Sequence, residues 1–246
     1  MRFRLDAVNP EGTLSGDGVP GGLRTALLPA RCLLCLGEAL TGQDLCSACW
    51  RDLPWIGARC LRCALPLPSD GICGRCRQRQ TAYDAVKSPF LYQMPIDALL
   101  KGLKFNGRLA HARVLGLIMA RYIGHVGQDL PDLLVPVPLH PHRLRERGFN
   151  QAIELARSVG RALSVRMNTR ACERIRHTEA QSRMTAAERH RNLRKAFRVR
   201  ETSLPPHVAI VDDVMTTGAT VQSLSEALRR AGVARIEIWV CARTPD

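Results

Sequence analysis

Aromatic residues are scarce in this 246-residue chain: five Phe, three Tyr and three Trp make up 4% of it. So thin a supply argues against a broad base-stacking surface. No stretch reaches eighteen uncharged apolar residues, so no integral membrane segment is expected. Residues 1–30 contain no continuous apolar core of the signal-peptide kind, and export is not expected either. Acidic residues are also in short supply, 22 against 36 Lys and Arg, for a formal net charge of +14. That excess admits nucleic acid, phosphorylated ligands or anionic membrane as partners, and composition does not choose among them. The 46% of apolar residues suffices for a globular core in one or two domains.

The charge is concentrated. Residues 1–30 balance, 31–80 carry +3, 81–140 carry +2, 141–200 carry +11 and 201–246 carry −2. Sixteen bases accompany only five acids in the 141–200 stretch, which a uniformly solvated basic surface would not produce.

Eight of the ten cysteines form four Cys-x-x-Cys pairs, 32/35, 46/49, 60/63 and 73/76, separated by 10, 10 and 9 residues. A two-residue spacer aims both thiolates at one ion, and two such knuckles complete a closed, structural four-sulfur zinc site. Four pairs therefore predict two Zn²⁺ ions held by Cys32, Cys35, Cys46, Cys49, Cys60, Cys63, Cys73 and Cys76. Pairing of neighbours gives two consecutive ribbons and is preferred, although the near-equal intervals also allow an interleaved order. The knuckles do not reveal what the ribbons touch, whether nucleic acid or only the rest of the chain. Cys172 and Cys241 stand alone and read as small buried or surface thiols.

Around this block, the Gly- and Pro-rich residues 1–30 read as a flexible tail, and Gln78-Arg79-Gln80 as a linker. From about 83 onward strands and helices alternate. Tyr83–Tyr92, with Pro89 inside it, suggests an edge strand or hairpin. Helices are expected from Pro95 to about Leu103, over 108–124 and 149–163, and from Thr220 to Arg230 before Gly232. Strands are expected at 133–137, Val208–Val211 and Ile236–Val240. This alternation predicts a doubly wound parallel α/β sheet.

The segment Val208-Ala209-Ile210-Val211-Asp212-Asp213-Val214-Met215-Thr216-Thr217-Gly218-Ala219-Thr220 reads as a buried strand ending in two carboxylates, then a short Thr/Gly loop opening a helix. Ligands of open parallel sheets bind beyond the carboxyl ends of the strands, and a helix N-terminus offers N–H groups to a phosphate. Two carboxylates repel phosphate, so they suit vicinal hydroxyls or a cation. A sugar diol on one side and a phosphate on the other fits both halves.

This run resembles the phosphoribosyl pyrophosphate (PRPP) motif of type I phosphoribosyltransferases. The resemblance implies that Asp212 and Asp213 hold the ribose hydroxyls as the catalytic pair. It also implies that Thr216, Thr217, Gly218, Ala219 and Thr220 hold the 5′-phosphate. A pyrophosphate and Mg²⁺ loop follows an earlier strand in such enzymes, and Leu139 and His140 occupy that place here. Lys104 in Lys-Phe-x-x-Arg, and Arg143, Arg145 and Arg147 before Gly148-Phe149-Asn150-Gln151, are candidates to neutralise pyrophosphate, bind a DNA backbone, or both in turn. Gln181, Arg189, Asn192 and Lys195 continue the basic stretch in an expected loop and short helix. Without interleaved aromatics, DNA contact is expected at the backbone, with steep salt dependence and little base preference.

The four Cys pairs, Lys-Phe-x-x-Arg, Pro-x-Pro-Leu followed by Arg-Gly-Phe-Asn-Gln, and the PRPP motif together resemble the ComF family over about residues 31–242. The resemblance implies a tail (1–30), a double zinc ribbon (31–80) and a type I phosphoribosyltransferase-like domain (81–246). It implies a protein of the cytoplasm or the inner face of the membrane that binds PRPP with Mg²⁺ and single-stranded DNA in uptake for natural transformation. Proteins of the uptake machinery would then be further partners. Two alternatives stand beside it: an active phosphoribosyltransferase of nucleotide salvage with an unknown acceptor, and a non-catalytic adaptor whose zinc ribbons contact nucleic acid.

Overall fold

The computed structural model describes residues 30–40, 44–126, 129–176 and 196–245. The predicted tail before Ala30 and the predicted loop and helix around Gln181, Arg189, Asn192 and Lys195 lie outside the described residues.

The sheet is built around the two longest strands, β6 (His207–Met215) and β7 (Arg235–Arg243). Continuous apolar runs in both bury on two faces, as central parallel strands require. On one side of β7 lie β1 (Ala85–Lys87) and β2 (Phe90–Leu91), and on the far side of β6 lies β3 (Leu133–Pro136). Every one of these pairings is parallel. The fold is thus the α/β class, with a parallel sheet, that the alternation predicts. Tyr83–Tyr92 forms the edge-strand alternative, not the hairpin: Ser88-Pro89 interrupts the edge, and both pieces pair with β7. A separate antiparallel pair joins β4 (Cys172–Arg174) to β5 (Phe197–Val199).

Alternation along β6 sends Val208 and Ile210 into one hydrophobic cluster and Ala209 and Val211 into another, one on each face of the sheet. Three helices cover the second face: α3 (Ile96–Asn106), α4 (Leu109–Val126) and α6 (Gln151–Leu163). Their approach is close because Gly116 of α4 has no side chain. A Cβ there would lie 2.5 Å from the Ser158 Cβ and 3.1 Å from the Leu155 carbonyl of α6. Helix α7 (Ala219–Arg230) covers the first face with Val221, Leu224 and Leu228.

Two further short helices, α1 (Ser47–Arg51) and α2 (Gly74–Gln78), belong to the cysteine-rich segment. Between them, residues 54–56 run antiparallel beside β2, with Ile56 N–H donating to Pro89 O and Leu91 N–H to Pro54 O, both at 2.8 Å. The cysteine-rich segment is thereby stitched to the sheet edge. Its first half joins the α3/α4 face through Leu45, Trp50 and Leu53, and its second half joins the α7 face.

The apolar run Val208–Val211 predicts a strand that ends in the two carboxylates, but β6 continues past Asp213 to Met215. The cause is β7, which keeps pairing as far as Val214 with Ala242 and Met215 with Arg243. On the other side, β3 stops at Pro136 opposite Val211, with one more bond from Val137 N–H to Val211 O at 2.9 Å. Beyond it the Val137 carbonyl accepts from the Asn150 side chain and Asp213 N–H donates to Asp212 Oδ1, so the ladder goes no further. The carboxylates therefore sit on the stretch of β6 that has lost its β3 neighbour.

Candidate functional site

The eight paired cysteines assemble into two groups, Cys32/Cys35/Cys46/Cys49 and Cys60/Cys63/Cys73/Cys76, with the sulfurs of each group within 4.8 Å of one another. This is the neighbour pairing, and the interleaved order does not occur. Sγ–Sγ separations of 3.7 Å for Cys35–Cys46 and for Cys63–Cys73 fit the edge of a tetrahedron with Zn–S bonds of about 2.3 Å. Both knuckles share one plan. Cys32 N–H donates to Gly37 O as Cys60 N–H does to Leu65 O, and Leu33 N–H to Asp44 O as Leu61 N–H does to Gly71 O. Leu36 and Ala64, each the residue after the second cysteine, adopt left-handed φ of 63° and 57°.

Burial opposes ionisation of Cys32, but backbone N–H groups of Cys35, Cys46 and Leu34 outweigh it and bring the thiol down to about 6. At Cys60, likewise buried, the N–H groups of Cys73, Cys63 and Arg62 bring it to about 7. These donors favour thiolate, the form that binds metal. The donor set suits structural Zn²⁺ at both sites.

The second candidate region lies at the carboxyl end of the sheet. Asp212 and Asp213 are half-buried on β6, and each carboxylate accepts the next residue's N–H at 2.9 Å. Burial first, then the charge of Asp213, pushes the Asp212 carboxyl well above its ordinary range. Beyond β6, Thr216 and Thr217 are exposed, Gly218 is the N-cap of α7, and Ala219 and Thr220 form its first turn. Gly218 has φ of +78°, and a Cβ there would lie 2.6 Å from the Met215 Cε, so the loop requires glycine. The Thr217 hydroxyl accepts from Ala219 N–H at 3.4 Å.

Leu139 and His140 follow β3, with His140 as the N-cap of α5 (Pro141–Arg147). Asn150 then caps α6 through Ala152 N–H and donates to Val137 O at 2.9 Å. This one amide ties the start of α6 to the end of β3, which gives the Phe149-Asn150-Gln151 segment a structural role. Of the basic candidates, Lys104 acts electrostatically on Asp212, and Arg147 is influenced by Arg143 and Asp213. Arg145 is exposed. The charge of Lys104 thus reaches Asp212 and that of Arg147 interacts with Asp213, while Arg143 acts on Arg147.

Two residues join them that sequence reasoning missed. Arg174 of β4 stacks on the Phe197 ring at 5.6 Å and is lowered by burial and by Arg143, with Asp212 opposing. No motif marks it, because β4 reaches the site only through the tertiary fold. Arg243, 1% exposed, is the other. Its guanidinium donates to Thr216 O at 2.6 Å, Met215 O at 3.2 Å and Cys63 O at 3.2 Å. It links the loop after β6 to a cysteine of the second metal site. Tyr83 lies alongside, its hydroxyl 3.7 Å from where a Gly218 Cβ would stand.

Fold and site together define a class: a double zinc ribbon mounted on a parallel α/β sheet that carries a carboxylate pair and a glycine-capped loop at its carboxyl end. Residues 23–77 match the double zinc ribbon domain model. Over 88% of the chain and 98% of the relative, the sequence is 34% identical to DNA utilization protein YhgH of Escherichia coli K12. It is 31% identical to Competence protein F of Haemophilus influenzae over 87% of the chain and 96% of the relative. For Competence protein ComFC of Bacillus subtilis the identity is 25% over 78% and 80%. The chain belongs to the ComF family of these competence and DNA-utilization proteins. No helix among the described residues is long and apolar enough to cross a membrane.

Proposed function

We propose that this chain binds PRPP with Mg²⁺ and single-stranded DNA, and that it serves DNA utilization or uptake, the roles its relatives' names carry. The observation that carries the ligand reading is the juxtaposition on β6: a carboxylate pair on the freed edge, followed directly by a loop whose glycine turns into the N-terminus of a twelve-residue helix. Asp212 and Asp213 would take the ribose hydroxyls, and residues 216–220 the 5′-phosphate. Lys104, Arg143, Arg147 and the loop at Leu139 and His140 would face the pyrophosphate. Mg²⁺ would supply charge neutralisation to that pyrophosphate. The carboxylates and the ring of cations suit the two ends of such a ligand.

Titration with PRPP and Mg²⁺ is expected to raise the Tm of the parent and to leave Asp212→Asn/Asp213→Asn unmoved. A parent that melts unchanged removes the reading. DNA affinity is expected to fall steeply with salt, because the basic rim meets phosphates. PRPP is expected to compete for the same surface.

A second reading, turnover as a phosphoribosyltransferase, is favoured by the raised Asp212 carboxyl, which holds a proton more tightly than an ordinary carboxyl and can pass it to or from a reacting group. It predicts PRPP-dependent pyrophosphate release with a purine, a pyrimidine or ammonia. A flat response to all three would leave binding alone.

A further inference from the structure

Phe105 is 69% exposed in a chain that has few aromatic rings to spare. The reason lies in helix geometry. Helix α3 buries Ile96, Leu99, Leu100 and Leu103, and Phe105, two positions past Leu103, stands about 200° around the axis on the opposite face. Gly107, in the left-handed region at φ 62°, then stops the helix and fixes the ring on its last turn. The ring contributes nothing to the core. A lone exposed apolar residue calls for no explanation. This one is different in its neighbours: Lys104 Nζ is 5.6 Å and Arg147 Cζ 6.0 Å from the ring centroid. These are the cations whose charges interact with Asp212 and Asp213. The two segments also meet directly, the Phe149 ring lying 4.0 Å from where a Gly107 Cβ would stand.

We propose that Phe105, flanked by Lys104 and Arg147, is a stacking shelf for one nucleobase at the mouth of the carboxylate site. A phenyl face takes any base, and the flanking cations take the phosphate attached to it. One ring suffices for one base, so the scarcity of aromatics excludes a long stacking track but not this contact. The inference rests on the reading of Asp212, Asp213 and the 216–220 loop as a sugar-phosphate site. The base could arrive on a single strand or on a free nucleotide, and both present the same chemistry.

The test uses the full-length protein and three probes: a thymidylate dodecamer, the same oligomer without bases, and thymidine 5′-monophosphate. Phe105→Ala is expected to weaken dodecamer binding roughly tenfold or more and to leave the abasic oligomer unchanged. Phe105→Leu should behave as the alanine variant, and Phe105→Trp should restore affinity. An equal loss on the mononucleotide identifies a site for free nucleotides, and a loss confined to the dodecamer identifies a strand contact. Dodecamer binding that is absent in the parent, or equal in parent and Phe105→Ala, overturns the shelf. The exposed position makes misfolding of the variants easy to exclude by melting. A PRPP titration keeps the two ideas separate, since Phe105→Ala should retain the PRPP-induced rise in Tm. A parent with no such rise sinks the sugar-phosphate reading, whereas a parent that shows the rise but binds the dodecamer no better than the abasic oligomer sinks the shelf alone.

Discussion

In the first ribbon Cys35 is exposed and Cys46 and Cys49 are half-buried, whereas in the second all four cysteines are buried. The two halves repeat the same hydrogen bonds and the same left-handed residue, so their internal chemistry does not explain the contrast. Their surroundings do. The first ribbon reaches the α3/α4 face through Trp50, which Arg121 overlies at 5.6 Å, and through a surface ion pair between Asp44 and Arg113. The second lies on the α7 face, where the Cys63 carbonyl shares the Arg243 guanidinium with the loop after β6. A duplicated motif thus acquires two jobs, anchorage in one copy and support of the candidate ligand loop in the other. The difference comes from which sheet face each copy covers.

The largest effect that would break this comparison comes from removing one metal. Cys60→Ser is expected to leave one zinc per chain, lower Tm by about 10 °C or more, and abolish the PRPP-induced rise. Cys35→Ser, also losing one zinc, should lower Tm less and keep that rise. Zinc release measured beside melting checks both, and identical behaviour of the two variants would erase the distinction.

Arg243→Met comes next. It strands the carbonyls of Cys63, Met215 and Thr216 in a buried setting, at a cost of about 2–4 kcal/mol by chemical denaturation. Arg243→Lys should keep the charge but lose the bridge, and PRPP binding should weaken although zinc stays bound.

Asp212→Asn gives a smaller effect of opposite sign. Folding raises this carboxyl's affinity for its proton, so its stabilising contribution is complete at low pH and is lost as pH rises through its folded-state value. The asparagine variant should therefore melt above the parent at pH 7, and the gap should close on acidification toward the ordinary carboxylate range. A variant that melts lower at pH 7 would show that the carboxylate is stabilised by its cations instead.

Arg113→Ala, at the exposed pair beside the first ribbon, should change stability by about 0.5 kcal/mol or less and leave PRPP binding untouched.

Much of this architecture is legible in the residues. Apolar runs at 133–137, 208–211 and 236–240 mark strands of the parallel sheet, and the Cys-x-x-Cys spacing marks the metal sites, because both are local patterns. The extension of β6 past Asp213 to Met215 is not legible, since polar residues at 212 and 213 end the apolar run while β7 continues to pair as far as Met215. Arg174 and Arg243 leave no local signal either, one lying in a three-residue strand and the other reading as the ordinary basic end of a strand.

The sequence by itself determined the set of chemical parts: eight thiolates in four knuckles, two adjacent carboxylates, a Thr/Gly loop and a surplus of bases confined mostly to one stretch. Spacing and composition are properties of the chain, and no folding is needed to read them. Only the tertiary structure decided which knuckles share an ion, which ribbon supports the loop, and which of the many cations act on the carboxylates. Those relations join residues as far apart as Cys63 and Arg243, or Lys104 and Asp212. They exist because a parallel sheet places the ends of distant strands side by side.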